Sequence, residues 1–402
     1  MAYPPYFSNV VSKSAFNARF KSENGKPFAE LDSVSASHWG RPHLLACRVV
    51  RREAQANLLP IISKYAANSD LQSPPDEIQN FLQGPDPAHM TQSEHFLVRK
   101  AGYGISLGQV WAAMAMLKQH TVKQEIPPTQ AQDEPECEFD EPESESDNTT
   151  EESLPKPRLR RGTSHAEFTD SSTMQVDSSS PLPLSSSFHG SQTSSLGYVD
   201  SHTHYLGIAP EDNTLRLASC VIRHILYFAP PQVSASNSNV VEFRDAKIRL
   251  ARRTVIRKRR IVAVDDGGLC LRQQTSEGGF VLAKSHVAIL EAKPQFQCLE
   301  DGRPVISDGG FGQMVCEALA ARLSDDSQES VIIIHCTQHY MCFLQMNMSD
   351  AYITDFESAT PEQMLNVFST PWFDLTKRSG REGVLMNLIG IMRRAIDPGS
   401  PS

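Results

Sequence analysis

No run of 18 apolar residues occurs in the 402-residue chain, so no membrane-spanning helix is expected. The opening residues, MAYPPYFSNVVSKS, contain no basic stretch followed by an apolar one, so secretion is not expected either. Eight cysteines are scattered, several of them inside apolar runs, and no two form a CxxC pair. A disulfide framework and a cysteine zinc site are therefore not expected, which points to a reduced, intracellular protein. Glycine is scarcer than proline, 22 against 26, and hydrophobic residues make up 40%. That balance suits a globular protein diluted by a stretch unable to bury itself.

What is present is uneven charge. The net charge is -9, but residues 131–152 (AQDEPECEFDEPESESDNTTEE) carry 11 acids and no base, so the remainder stands at -9 + 11 = +2. Local charge pattern therefore says more about partners than the whole-chain balance does.

Three regions follow. Residues 1–120 read as a helical N-terminal region. Leu45, Val49, Ala56, Leu59 and Ile62 recur with roughly helical period. Thr91 or Ser93 could cap one later helix and Ser106 another. Gly102, Gly104 and Gly108 in AGYGISLGQ do not fit GxGxxG, so a Gly-rich helix start is preferred to a phosphate loop. Residues 121–204 read as a disordered acidic and Ser-rich linker, because such composition cannot offset its ordering entropy. Within it, Lys156, Arg158, Arg160 and Arg161 form a small basic cluster that suits a nuclear address. Thr163 and Ser164 behind that cluster suit a basic-directed kinase.

Residues 205–397 read as an α/β domain. Residues 211–228 form a helix with Leu215, Ala218, Val221, Ile222, Ile225 and Leu226 on one face, stopped by Pro230-Pro231. Strand-like runs follow through FVLAKSHVAILEAK, then a helix in FGQMVCEALAARL. VIIIHCTQHYMCFLQMNM reads as strand, turn and strand. PEQMLNVF, with Thr360 as cap and Pro361 in first position, reads as a short helix, and REGVLMNLIGIMRRAI as the last helix. The order predicts a mixed central sheet flanked by helices.

The best candidate for chemistry is Glu291-Ala292-Lys293, which ends the apolar run HVAIL. On a strand, residues two apart share a face. Glu291 and Lys293 would then project together from a buried sheet, which is costly unless they pair or act. Upstream, Asp265-Asp266-Gly-Gly-Leu-Cys-Leu-Arg places a turn between two strand-like runs, and downstream Gln313 lies one turn before Glu317. A strand-borne carboxylate, a hairpin, a strand with E-x-K and then a helix carrying Gln resemble the PD-(D/E)XK restriction-endonuclease-like nuclease superfamily. The resemblance spans about residues 211–357. DDGGLCLR, VAILEAKPQF, FGQMVCEALAARL, VIIIHC and AYITDF are similar to uncharacterised fungal members.

The resemblance implies a restriction-endonuclease-like fold and Mg²⁺-dependent hydrolysis of phosphodiesters. It makes Glu291 a metal ligand and Lys293 the catalytic lysine. Asp266 becomes the second metal ligand with Asp265 as its rival, and Gln313 contacts lysine, water or nucleic-acid backbone. Two features depart from the family pattern. The paired Asp residues precede Gly-Gly rather than lying within a strand, and the acids of the first helix, Glu211 and Asp212, sit at its start. Glu242 is a substitute without an assigned place. The other reading of these residues is structural: a Glu291–Lys293 ion pair, turn-forming Asp residues and a Gln that solvates its helix. The domain would then be an inactive nuclease fold serving as a nucleic-acid-binding or protein-interaction module.

The second feature is the stretch 244–260, with nine bases against Asp245 alone, a net +8 in 17 residues. Arg252, Arg253, Arg257, Lys258, Arg259 and Arg260 are the candidates for nucleic-acid contacts, since phosphates are met by such charges. A solvated edge strand with gatekeeper charges is the plain alternative. The acidic run of 131–152 is complementary in charge and could lie on this stretch and block it. The partner expected is DNA or RNA, with no membrane. His202, His204, His335 and His339 lack the companions a metal site needs.

Overall fold

A computed structural model describes residues 4–52, 57–66, 74–122, 211–231 and 239–397. The linker assigned to 121–204 lies outside the described residues apart from its first two, as do the acidic run, the Lys156–Arg161 cluster, Thr163, Ser164, His202 and His204.

The strands are β1 (Val49–Arg51), β2 (Asn239–Arg244), β3 (Arg249–Arg253), β4 (Arg260–Val264), β5 (Gly268–Gln274) and β6 (Phe280–Lys293). They continue with β7 (Cys298–Glu300), β8 (Arg303–Val305), β9 (Ser330–Thr337), β10 (Tyr340–Asn347), β11 (Leu365–Ser369) and β12 (Phe373–Asp374). The helices are α1 (Tyr6–Asn9), α2 (Lys13–Ser22), α3 (Arg41–Ala46), α4 (Pro60–Ala66), α5 (Asp76–Gln83) and α6 (Glu94–Arg99). After them come α7 (Gly104–Val122), α8 (Glu211–Phe228), α9 (Asp308–Arg322), α10 (Asp350–Asp355) and α11 (Arg378–Ile396).

One mixed sheet runs in the order β1-β11-β10-β9-β6-β5-β2, with β12 beside β10. The β1/β11 and β6/β9 pairs are parallel; the others are antiparallel. Strands β3 and β4 form a separate ribbon, as do β7 and β8. Central strands send alternate residues to opposite faces. Leu290, Ile332, Ile334 and Phe343 join a core with residues of α4, α5, α7, α8 and α11. Ile289, Ile333, Leu344 and Val367 join a second core with α3, α9, α10 and the β3–β4 ribbon. The sheet is thus covered on both faces, which is why β9 and β10 read as continuous apolar runs.

Residues 1–120 do not stand apart. Tyr6, Trp39 and Leu44 lie in the second core and Phe81, Leu107 and Trp111 in the first. The described N-terminal and C-terminal residues make one compact unit. Three local expectations are corrected. The helical period over 45–62 is broken: Arg48 has φ +53 and Val49–Arg51 forms the edge strand β1. Its β-branched residues pair with β11, and Pro60 opens α4 instead. The expected helix PEQMLNVF is irregular and then strand β11, because Leu365 and Val367 alternate into the core between β1 and β10. Ser106 lies inside α7, within 3.1 Å of His224 Nδ1, and does not cap it. Ser93 does cap α6, accepting the Phe96 N–H at 3.3 Å. The seven described cysteines are all free. Among the described residues, no helix is long and apolar enough to cross a membrane.

Candidate active site

The site is built where β4 hands over to β5. Gly267 and Gly268 have φ of +128 and +151. A Cβ at Gly268 would lie 2.2 Å from the Ala288 carbonyl oxygen, so only glycine lets the chain come this close to β6. Asp266 N–H donates to Leu290 O at 3.1 Å and Leu290 N–H to Gly267 O at 3.0 Å. These bonds pin Asp266 beside the segment that carries Glu291.

Adjacent Asp residues then take different roles. Asp265 is buried and fully engaged. Arg244 grips it with two bonds of 3.1 and 2.6 Å. Ile248 N–H and Gly267 N–H donate to Oδ1 at 2.8 and 3.2 Å, and His286 Nε2 lies 3.5 Å from Oδ2. Burial raises its pKa, but His286 and Arg244 outweigh that and hold it below the usual carboxylate range. Asp265 is therefore corrected from candidate ligand to structural anchor: its lone pairs are taken. Asp266 accepts Lys247 Nζ at 2.8 Å on Oδ1 and the Ala292 N–H at 3.0 Å on Oδ2.

Glu291 and Lys293 share the β6 face that packs on α9, as do His335 and Ile333 on the paired strand β9. Lys293 Nζ stands 2.7 Å from Glu291 Oε1 and donates to Gln313 Oε1 at 3.0 Å. Gln313 Nε2 donates onward to Glu317 Oε1 at 3.0 Å, one turn along α9. The helix therefore does bring Gln313 to the lysine. His335 Nδ1 donates to the Glu291 carbonyl at 3.1 Å and its ring sits 5.2 Å from that of Trp372. Burial, with Lys293 nearby, pushes His335 down to about 4, so it is neutral and fixes the strand.

Electrostatics set this cluster apart. Glu291 and Glu317 are both 0% exposed. Glu291 Oε1 has only the Lys293 ion pair at 2.7 Å, and Glu291 Oε2 and Glu317 Oε2 have no hydrogen bond. Burial, then the competing pull of Lys293 and push of Asp266, raises Glu291 to about 7. Burial and Glu291 together raise Glu317 well above the carboxylate range. For Lys293, burial opposes the charge, but Glu291, Glu211 and Asp266 outweigh it and hold the ammonium protonated. Glu211, at the start of α8, is raised by burial and feels Lys293, Asp266 and Lys247. The first-helix acid thus faces the cluster from its terminal position. Glu242 pairs at 2.7 Å with Arg272 on the β2–β5 surface and has no part here.

Sequence reasoning had not assigned Glu317. Its signal was a lone acid in the small, apolar run MVCEALAAR, four residues after Gln313. A buried carboxylate short of hydrogen bonds carries a large desolvation cost. Two of them beside a lysine and Asp266 form an oxygen-rich set suited to a hard divalent cation. Among the described residues, no three His, Cys, Asp or Glu side chains are drawn tightly enough together to form a metal-binding group. His339 Nε2 lies 3.7 Å from Asp374 Oδ1, away from such a role.

In the basic stretch, Arg252, Arg253, Arg257, Lys258 and Arg260 are exposed. Arg259 is corrected: its guanidinium donates to the Phe28 and Leu31 carbonyls and lies over the Phe28 ring, holding the N-terminal segment. No family model matches the chain, and no curated protein matches it.

Proposed function

We propose that the protein hydrolyses phosphodiester bonds of nucleic acid with Mg²⁺, on a restriction-endonuclease-like fold. The observation that carries this reading is the pair of buried carboxylates, Glu291 and Glu317, each keeping an Oε2 without a hydrogen bond, with Lys293 Nζ 2.7 Å from Glu291 Oε1. Glu291 and Asp266 would hold the cation, with Glu317 supporting them. When bound, Mg²⁺ would polarise the phosphoryl oxygen and acidify its water. Lys293, freed from Glu291, would orient the attacking water and offset the charge that develops on phosphorus oxygens. Gln313 accepts from Lys293 Nζ at 3.0 Å and would keep it beside Glu291. Asp266 keeps its orientation through the Ala292 N–H, which donates to its Oδ2 at 3.0 Å and ties it to the segment carrying Glu291.

The second reading is an inactive fold that binds nucleic acid or protein. It is favoured by the looseness of the acidic set and by the Glu291–Lys293 ion pair of 2.7 Å, which satisfies both charges without a metal.

The test is cleavage of labelled single- and double-stranded DNA and RNA by the full chain in Mg²⁺ or Mn²⁺. The Lys293→Ala and Glu291→Ala variants run alongside. Metal-dependent cutting lost in both variants supports the nuclease. Salt-sensitive binding without cutting, unchanged in both, supports the inactive fold instead.

A further inference from the structure

The β3–β4 ribbon leaves the sheet from the candidate centre and ends in a tip with an unusual surface. Residues 249–264 contain no acid. The connection carries Val255 and Ile256, 43% and 49% exposed, flanked by exposed Arg252, Arg253, Arg257, Lys258 and Arg260. Two aliphatics turned to water inside a cationic collar are not explained by packing.

The fold nevertheless holds this tip in one shape. Glu357 is buried at its base. Its Oε1 accepts the Thr254 hydroxyl at 2.6 Å, and its Oε2 accepts the Ile256 and Arg257 N–H groups at 3.2 Å each. Thr254 Oγ1 accepts the Arg259 N–H at 2.9 Å, closing the turn, and Arg259 ties the ribbon to the Phe28 and Leu31 carbonyls. The apolar tip is therefore preorganised, which lowers the ordering cost of any contact it makes.

We propose that this hairpin is a wedge for duplex nucleic acid. Val255 and Ile256 enter the minor groove at a base step, and the surrounding Arg and Lys side chains hold the phosphates on either side. Apolar wedges between base steps, assisted by basic residues, are how minor-groove proteins kink a duplex. The geometry fits. Lys247, at the ribbon's base, contacts Asp266 at 2.8 Å. The five-residue strand β3 between Lys247 and the tip alone spans about 17 Å at roughly 3.3 Å per residue, half of the roughly 34 Å duplex turn. An anionic membrane would meet the same charges. However, one myristoyl chain alone gives only marginal membrane binding, and two half-exposed aliphatics bury less. The choice of a duplex over other polyanions rests on the phosphodiester reading of the centre at the ribbon's base.

The test uses full-length protein in EDTA, so that binding is read without cleavage. Anisotropy is followed on a 24-bp duplex across a salt series, with a second duplex carrying 2-aminopurine to report unstacking. The Val255→Ser/Ile256→Ser variant should bind at least tenfold more weakly, lose the 2-aminopurine signal and keep the wild-type salt slope. Arg253→Ala/Arg257→Ala should lower the slope by about 1.8, at about 0.9 per phosphate contact. Both changes are at exposed positions, and unchanged melting temperatures confirm intact folds. Wild-type duplex affinity in the serine variant overturns the wedge. So does preference of the wild type for phosphatidylserine vesicles over the duplex. Cleavage assayed separately distinguishes the two readings. Mg²⁺-dependent cutting with an indifferent tip removes the wedge alone, whereas tip-dependent duplex binding without cutting removes the nuclease alone.

Discussion

Two sets of buried carboxylates lie in this molecule, and they are treated in opposite ways. Asp265 and Glu357 are surrounded by donors: a bidentate arginine and two backbone N–H groups in one case, a hydroxyl and two backbone N–H groups in the other. Glu291 and Glu317 are as deeply buried but keep oxygens without any hydrogen bond. The first set organises backbone; it fixes the Gly267-Gly268 crossing and the hairpin tip. The second set is kept where burial disfavours its charged form. Incomplete satisfaction, more than burial, separates Glu291 and Glu317 from Asp265 and Glu357.

The comparison can be broken most forcefully at Asp265. Asp265→Ala leaves the Arg244 guanidinium, 9% exposed, without its partner. Removing one member of a buried pair costs about 3–5 kcal/mol, so urea unfolding should show a loss of that size. A loss under about 1 kcal/mol would mean that Asp265 is not the anchor described. Glu357→Ala comes next. It strips three donors of their acceptor, so about 1–3 kcal/mol should be lost, with faster proteolysis at 254–259. An unchanged denaturation midpoint would show that the turn stands without it.

The unsatisfied set should behave in reverse. Burial raises Glu291 to about 7 in the folded state and Glu317 well above the carboxylate range, against about 4.3 when unfolded. Over that window the native state holds protons that the unfolded state has released, so stability falls as pH rises. Both groups are protonated and harmless below about pH 4.3. Glu317→Gln should therefore stabilise the protein by about 1 kcal/mol at pH 8 and have little effect at pH 5. Equal destabilisation at both pH values would show that Glu317 holds structure through its bond to Gln313.

Much of this was legible beforehand, for reasons that differ by element. Strands β9 and β10 are covered on both faces, so VIIIHC and YMCFLQM announce themselves by composition. Helices α8 and α11 show their apolar faces by period. The pairing of Glu291 with Lys293 follows from strand geometry alone. Strands β1 and β11 were not legible, because the three-residue edge strand and its five-residue neighbour take their state from each other across more than 300 positions. The division between Asp265 and Asp266 was not legible either. It is decided by Arg244 and by the Ala292 N–H, both distant in sequence, and not by anything in the DDGG string itself. Arg259 looked like its basic neighbours and is distinguished only by the carbonyls it reaches.

The measurement that tests the central claim most directly is the effect of Mg²⁺ on melting temperature at pH 8 and pH 5.5, for wild type and Glu291→Gln. Ligand binding to the native state stabilises by RT ln(1 + [L]/Kd), about 1.4 kcal/mol at a tenfold excess over Kd. The wild type should gain about 2–4 °C at pH 8. The gain should shrink at pH 5.5, where Glu291 is largely protonated, and vanish in Glu291→Gln. A wild type that gains nothing from Mg²⁺ or Mn²⁺ at pH 8, or a Glu291→Gln variant that gains as much as the wild type, would contradict the assignment of Glu291 as a cation ligand.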